Sequence, residues 1–279
     1  MDLLQILILA IVQGAAELLP VSSSAHVIMA EKLMGLDPTA PQMTLLLVML
    51  HTGTMFAVIV YFWRSWIATY FSSARAFRVN ALQVVVATAA TGVVGLALLK
   101  IIEHVFAAGA PDFEIEHLFG NARLMAAALA AAGVLIIASS RMTGNGEQEL
   151  SLRSAGWIGA VQGLCLPFRG FSRSGATIST GLALGVGRRR AEEFSFVLAV
   201  VLTPPVIVRE GYRLWKAQSA ALEAGGLMHQ MGPSLLGMVL SFLAGLAALR
   251  WLSKWLEQGR WHIFGVYCLV AALVVLWIG

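Results

Sequence analysis

Apolar residues run along most of this chain in stretches too long for an ordinary soluble helix and without the two-residue alternation of a half-buried strand. Six of them reach the roughly 20 residues that cross a bilayer core of about 30 Å as a helix. They lie near 43–63, 81–102, 122–140, 193–212, 234–252 and 261–279. Two further apolar regions, 3–35 and 155–187, are interrupted at their middles by turn-forming and polar residues. The first break is LLPVSSSAH, around Pro20, and the second LPFRGFSRSGAT, around Pro167 and Gly170. Each half is too short to span, so the pattern predicts two re-entrant hairpins, each a helix that enters the membrane, breaks and returns. Such backbone is tolerated at membrane depth only where it is buried in protein or lines a wet cavity. The expected fold is all-α and polytopic, with six transmembrane helices and two broken re-entrant helical hairpins.

The two broken regions resemble each other. LAIVQGAAELLPVSSSAH, from Leu9 to His26, and IGAVQGLCLPFRGFSRSGA, from Ile158 to Ala176, share Val-Gln-Gly, then a proline, then a serine cluster. Each is followed by three spans. This order predicts one integral membrane domain built from two repeats, about 1–141 and about 155–279. A half with three full spans and a returning hairpin leaves the second half in the opposite orientation, so the repeat is expected to be inverted.

Composition narrows the class. Of 279 residues, 58% are apolar and 12% charged, against about 25% charged in soluble domains. Soluble, disordered, collagen-like and disulfide-framed classes are excluded. Cys165 and Cys268 lie in apolar stretches and are expected to be buried thiols. Asp2 and the lack of Lys or Arg before Lys32 argue against a cleaved signal peptide, so the apolar N-terminus is expected to stay. The net charge of +4 is not a nucleic-acid signal, because the basic residues flank spans and no aromatic interleaving accompanies them.

Their distribution tests the topology. One set of alternate loops carries Arg64, Arg75, Arg78, Arg141, Arg153, Arg188, Arg189, Arg190, Arg250, Lys254 and Arg260; the other carries Lys32, Lys100, Arg123, Arg209, Arg213 and Lys216. By the positive-inside rule the first face is cytoplasmic and both termini lie outside. The hairpins then enter from opposite sides, and their tips are expected to meet near the bilayer midplane, where inverted-repeat proteins place their sites.

The candidate chemistry sits at those tips. Gln13 and Glu17 are four apart and share a helix face. Beyond Pro20, Ser22, Ser23 and Ser24 precede a short helix holding His26, which a serine can N-cap while free N–H groups point at the tip. At the second tip Ser172, Arg173 and Ser174 precede a stretch carrying Thr177 one turn on. Ionised side chains at membrane depth cost at least about 2.5 to 3.5 kcal/mol, so Glu17 and Arg173 require partners. Hydroxyls, helix N-termini and a guanidinium suit a multiply charged anion, and a carboxylate can hold a divalent cation. A serine beside a histidine and a carboxylate fits a nucleophile with its base. Elsewhere, His51 is expected to pack or hydrogen-bond within its span and Pro204 and Pro205 to kink theirs. Gly181 and Gly185 form a close-approach spacing, Arg188 to Arg190 a solvated topogenic cluster, and Asp112, Glu114 and Glu116 a solvated outer loop.

These residues carry a family resemblance. QGAAE (Gln13 to Glu17), PVSSSAH (Pro20 to His26), GFSRSGAT (Gly170 to Thr177) and EFSFVLAV (Glu193 to Val200) resemble the undecaprenyl-diphosphate phosphatase family, also called bacitracin resistance proteins, over essentially the whole chain. The family's acidic motif accepts Glu or Gln first, so Gln13 fits and leaves Glu17 the carboxylate there. The second motif usually reads Pro-Gly before Phe-Ser-Arg-Ser; here Arg169 precedes Gly170 and Pro167 lies three residues before it, which brings a second guanidinium toward the tip. The resemblance implies hydrolysis of the terminal phosphate of a C55 isoprenyl diphosphate with a divalent cation, in the inner membrane, at a site open to the periplasmic side.

On that reading Arg173, Ser172, Ser174 and Thr177, with Ser22, bind the diphosphate, and Glu17 with Gln13 holds Mg²⁺ or Ca²⁺. Ser23 is the nucleophile with His26 as base or acid; the variant has water attack with His26 as base. Expected partners are the polyprenyl diphosphate and membrane lipids, with a homodimer as an assembly to test and no nucleic acid. Two rivals stand beside the enzyme: a lipid-phosphate transporter or flippase of inverted-repeat fold, and an inactive relative, motivated by Gln13 and Arg169. The topology has its own test. A cysteine placed at 112–116 is expected to react with a membrane-impermeant thiol reagent added from outside, and protection there inverts the orientation.

Overall fold

The computed structural model describes residues 2–36, 41–107, 121–142, 148–219 and 224–278. Among these, the chain forms ten helices, and the β pairing consists of an isolated bridge between Gln148 and Val186. In order they are α1 (Leu3–Leu18), α2 (Ser23–Leu33), α3 (Pro41–Tyr70), α4 (Ala74–Ala107), α5 (Ala122–Met142), α6 (Leu152–Leu164), α7 (Arg173–Ala183), α8 (Arg188–Ser219), α9 (Ala224–Glu257) and α10 (Trp261–Ile278). Two short helices, two long ones and one of intermediate length thus occur twice in succession.

Six of the helices are long and apolar enough to cross a membrane: Met43–Tyr70, Ala74–Val105, Ala122–Met142, Arg188–Arg209, Met231–Glu257 and Trp261–Ile278. All six expected spans are present, several with longer ends. Hydropathy fades where charged residues begin, but helical hydrogen bonding continues to a cap or turn: Ser73 Oγ accepts from the Ala76 N–H at 3.0 Å, so α4 starts well before its apolar stretch. The helices present exposed Val60, Val93, Val208 and Leu273 outward, the surface that lipid requires.

Both interrupted regions are broken where the residues dictate. α1 opens with a capping box, in which the Asp2 carboxylate accepts from the Gln5 N–H at 2.8 Å and the Gln5 side chain accepts from the Asp2 N–H at 3.0 Å. It stops at Leu19, whose extended backbone (ψ 150) is the conformation a following proline imposes. α6 and α7 flank the second break, where Gly170 adopts φ 106 and a Cβ would lie 2.4 Å from the Met125 carbonyl oxygen. Only glycine meets both demands. The expected Gly181–Gly185 spacing does not form a continuous helix face. α7 ends at Ala183 and Gly185 turns the chain into α8 at φ 80, while Gly181 packs on Ala191.

The two halves are joined by helix crossings used twice. α1 packs on α9, and α6 packs on α4. A Cβ on Gly14 would lie 2.7 Å from the Ser241 carbonyl oxygen, and one on Gly159 would lie 2.0 Å from the Ala87 carbonyl oxygen. A hydroxyl fastens the second crossing: Thr91 Oγ1 donates to the Gly159 carbonyl at 2.9 Å and accepts from Gln162 Nε2 at 3.0 Å. α3 also packs on α9, where Ser241 Oγ donates to the Leu50 carbonyl at 2.9 Å. Without a hydrophobic drive between helices in lipid, close backbone approach and such bonds supply the association.

The arginine-rich loops share one end of the bundle, as the alternation of basic loops requires. There the Gly187 N–H donates to the Gln148 carbonyl at 3.3 Å, Gln83 Nε2 to the Leu150 carbonyl at 2.5 Å, and Arg188 Nη1 to the Glu257 carbonyl at 3.2 Å. Asp112, Glu114 and Glu116 lie outside the described residues. Gly159→Val is expected to lower the detergent-solubilised melting temperature by several degrees through forced helix separation. Gly92→Ala, where nothing lies within 4 Å, should leave it unchanged or raise it; equal effects would rule out the crossing as the cause.

Candidate functional site at the meeting of the two breaks

The breaks meet. Ser174 Oγ, at the start of α7, donates to the Leu19 carbonyl at 3.2 Å, and the buried Cys268 thiol of α10 donates to the Pro20 carbonyl at 3.2 Å. Two carbonyls released by the first interruption are thus taken up by the other half of the chain. Of the two cysteines expected inside, Cys268 is buried and Cys165 half-buried, and both are free thiols.

At this junction Glu17, on the last turn of α1, collects donors from three other places. Ser23 Oγ donates to its Oε2 at 2.6 Å, Gln13 Nε2 donates to Oε2 at 3.3 Å, and Arg173 Nη2 donates to Oε1 at 3.2 Å. His51 of α3 stands with Nε2 3.8 Å from Oε2, while its Nδ1 donates to the Leu47 carbonyl at 2.8 Å. Glu17 and Gln13 therefore do share a face, and Arg173 is its ion-pair partner across the two halves. Both charged side chains are about four-fifths buried, at 20% and 21% exposure. Arg173 Nη1 is buried with no hydrogen-bond partner. A buried donor left unpaired is costly, and at a site it marks where a ligand oxygen belongs.

The serines divide into two groups. Ser22 occupies the N-cap position of α2 but makes no side-chain cap bond; it sits at φ 68, and its hydroxyl lies 3.3 Å from that of Ser24. The first-turn N–H groups of α2 therefore lack the serine acceptor expected for them and remain oriented toward the tip. Ser172 does cap its helix, accepting from the Gly175 N–H at 3.2 Å. Ser174 is committed to Leu19, and the fully buried Thr177 donates to the Arg173 carbonyl at 2.8 Å with Ser195 Oγ 2.6 Å away. The hydroxyls of Ser172, Ser174 and Thr177 thus fasten the helix that carries Arg173.

His26 is placed differently from the expected base of Ser23. Its Nδ1 donates to the Ser22 carbonyl at 2.8 Å, and Nε2 meets the Tyr267 hydroxyl at 2.7 Å with the two rings stacked. The Ser22 carbonyl can only accept, which sets the tautomer. Both ring nitrogens are thereby engaged, and the group bonded to the Ser23 hydroxyl is Glu17. The helical i, i+4 spacing from Ser22 to His26 turns the ring back onto the tip it follows. Arg169 acts electrostatically on Glu31, buried in α2.

Sequence reasoning missed three participants. His51 was visible as a polar residue in a span, but nothing in LHTGT pointed it at Glu17. Ser195 lay within EFSFVLAV without a role, and Tyr267 carried no signal, being one aromatic residue in an apolar helix. Beside the Glu17 carboxylate stand the Ser23 hydroxyl and the Gln13 amide, whose nitrogen faces Glu17, and no group of three or more His, Cys, Asp or Glu that could hold a metal occurs among the described residues. A hard divalent cation taking one carboxylate and completing its shell from phosphate oxygens fits this arrangement.

The family model for Bacitracin resistance protein BacA matches residues 6–274. The chain belongs to this family. It is similar to Undecaprenyl-diphosphatase 2 of Acinetobacter baylyi, at 65% identity over 99% of this chain and 98% of the relative. Undecaprenyl-diphosphatase 1 of Burkholderia pseudomallei is 34% identical over 99% and 96% of the two chains, and Undecaprenyl-diphosphatase of Desulfosudis oleivorans 34% over 100% and 99%. In this family member the Glu17–Arg173 pair is expected to behave as a buried ion pair. Arg173→Ala should destabilise the folded protein by about 3–5 kcal/mol by stranding the carboxylate. Adding Glu17→Gln should recover most of that loss in denaturant unfolding, and purely additive effects would show the pair to be uncoupled.

Proposed function

We infer that the protein is an integral membrane phosphatase that hydrolyses undecaprenyl diphosphate to undecaprenyl phosphate and inorganic phosphate, recycling the cell-wall lipid carrier and conferring bacitracin resistance. The observation that carries this reading is the Ser23 hydroxyl bonded to Glu17 at 2.6 Å beside a guanidinium with a buried unpaired nitrogen, all at the junction of two broken helices.

The isoprenoid tail lies between helices, and the diphosphate enters the junction. Arg173 Nη1 and the uncapped N-terminus of α2 take its terminal phosphate oxygens, with Ser22 beside them. Ser23 Oγ then forms a bond to the terminal phosphorus as its proton passes to Glu17. The bond from that phosphorus to the bridging oxygen breaks, and undecaprenyl phosphate leaves with the electron pair and takes the proton from Glu17. Water, deprotonated by the carboxylate so regenerated, next attacks the phosphoserine; the bond from phosphorus to Ser23 Oγ breaks, phosphate leaves, and Oγ takes the proton back from Glu17. Catalysis rests mainly on positioning and charge stabilisation, as phosphoryl transfer requires. His26, held by Tyr267, fixes the Ser22 carbonyl and with it the tip that presents Ser23; this replaces its expected role as base. Mg²⁺ or Ca²⁺ would be held by Glu17 and the Gln13 amide oxygen, where it would offset phosphate charge. Ser172, Ser174 and Thr177 keep Arg173 in place.

The two-repeat organisation, about 1–141 and 155–279, is supported by the paired crossings of α1 on α9 and α6 on α4. Gathering of the basic loops at one end supports placing that end in the cytoplasm of an inner membrane, with the site open to the periplasm and both termini outside. The transporter reading is less favoured, because transport alone gives no reason for a hydroxyl hydrogen-bonded to a carboxylate.

Purified protein given a prenyl diphosphate should release phosphate, and EDTA should suppress the release. Ser23→Ala and Arg173→Ala should each lower kcat/KM by about 10²-fold or more, and release undiminished in Arg173→Ala overturns this site. A phosphoserine trapped at Ser23 supports covalent transfer; full activity in Ser23→Ala eliminates it.

A further inference from the structure

The arginine-rich end of the bundle, away from the Glu17 junction, contains a cavity of about 1080 Å³. Its walls are the end of α3 and the turn after it (Ser65 to Ser73), the start of α4 from Arg75 to Gln83, residues 148–150, and Gly187 with the start of α8 to Glu193. Arg188 to Arg190 were expected to be a solvated cluster, and the three side chains differ.

Arg189 is exposed and satisfied: its Nε donates to Glu193 at 3.0 Å and its Nη2 to Ser65 Oγ at 3.2 Å, and Ser65 also bonds Glu193. Arg190 is built in. Its guanidinium lies over the Tyr70 ring at 5.5 Å and the Phe194 ring at 6.0 Å. Its Nη2 donates to Asn80 Oδ1 and, at 3.2 Å, to Gln83 Oε1. Those amides are themselves fixed, Asn80 Nδ2 by the Thr69 carbonyl at 3.1 Å and the Ala76 carbonyl at 2.8 Å, and Gln83 Nε2 by the Leu150 carbonyl at 2.5 Å. The groups that position Arg190 are thus neutral, and its Nη1 is buried with no partner.

A guanidinium so held has charge and a donor to spare. The cavity adds Arg75 and Arg188, and the start of α8, where Gly187 has no side chain to cap the first-turn N–H groups. The acids on its walls are Glu149 and Glu193, and Glu193 is already taken by Arg189 and Ser65. We propose that this cavity binds a phosphate group, either on a lipid headgroup or as a free anion, separately from the Glu17 junction. Phosphate suits it because its oxygens accept from Arg190 Nη1, from Arg75 and from α8 N–H groups together, and the volume leaves room for the rest of a headgroup.

The test uses full-length protein in detergent carrying Glu17→Gln and Arg173→Ala, which removes the first phosphate-binding group. Thermal unfolding is followed against inorganic phosphate, dioctanoyl phosphatidic acid and dioctanoylglycerol. A saturable rise in melting temperature with phosphate identifies the free anion, and one confined to phosphatidic acid identifies the headgroup. Arg75→Gln, at the exposed rim, and Arg190→Lys should each raise the half-saturating concentration about tenfold. No saturable response, an equal response to dioctanoylglycerol, or a response untouched by Arg75→Gln overturns the proposal. Should the double variant not fold, the wild-type titration should show two binding steps, of which Arg75→Gln removes one; a single unaffected step again overturns it.

Discussion

A helix broken inside an apolar bundle releases backbone groups that hydrocarbon cannot satisfy, and here the first break is completed by the other half of the chain. The Leu19 and Pro20 carbonyls accept from Ser174 and Cys268. The strained turn at Ser22 is tied by His26, which Tyr267 holds from α10. The first break is thus held by the docked second half, and the same docking brings Glu17 to Arg173. The site is a by-product of a backbone requirement.

That arrangement explains the division of labour among similar side chains. The two tips carry nearly the same serine pattern, yet one helix is capped by Ser172 and the other is left uncapped by Ser22. A capped helix holds Arg173 rigidly; an uncapped one keeps N–H groups and the Ser23 hydroxyl available. Asymmetry between near-copies leaves one tip fully bonded within the bundle and the other with donors uncommitted. Preorganised donors of this sort act where charge develops without reorganising.

The same economy governs the rest of the bundle. Glycines at the crossings of α3 with α9 and α6 with α4 bring backbones close enough for Ser241 and Thr91 to bond across. The larger set of basic residues gathers at one end, where Arg190 is locked by amides and aromatic rings. In both places polar groups are tolerated because a neighbour supplies a fixed partner.

The all-α class, the six spans and both interruptions were legible in the residues, because helix length and apolarity are set by the thickness of hydrocarbon and prolines stop helices locally. So was the candidate set of Glu17, Ser23, His26 and Arg173, since charge and hydroxyls in an apolar background are conspicuous. Helix ends were less legible, because caps rather than hydropathy terminate them. Which partner each polar residue takes was not legible at all. Ser23 meets Glu17 instead of His26, His26 meets Tyr267, and Arg190 leaves solvent for a cavity, because these pairings join residues far apart in the chain through the docking of helices whose local sequences carry no trace of one another. Sequence by itself determined where the chain must break and which polar residues the breaks hold; tertiary structure alone decided which hydrogen bonds those residues make, since a pairing across two halves exists only once both are packed.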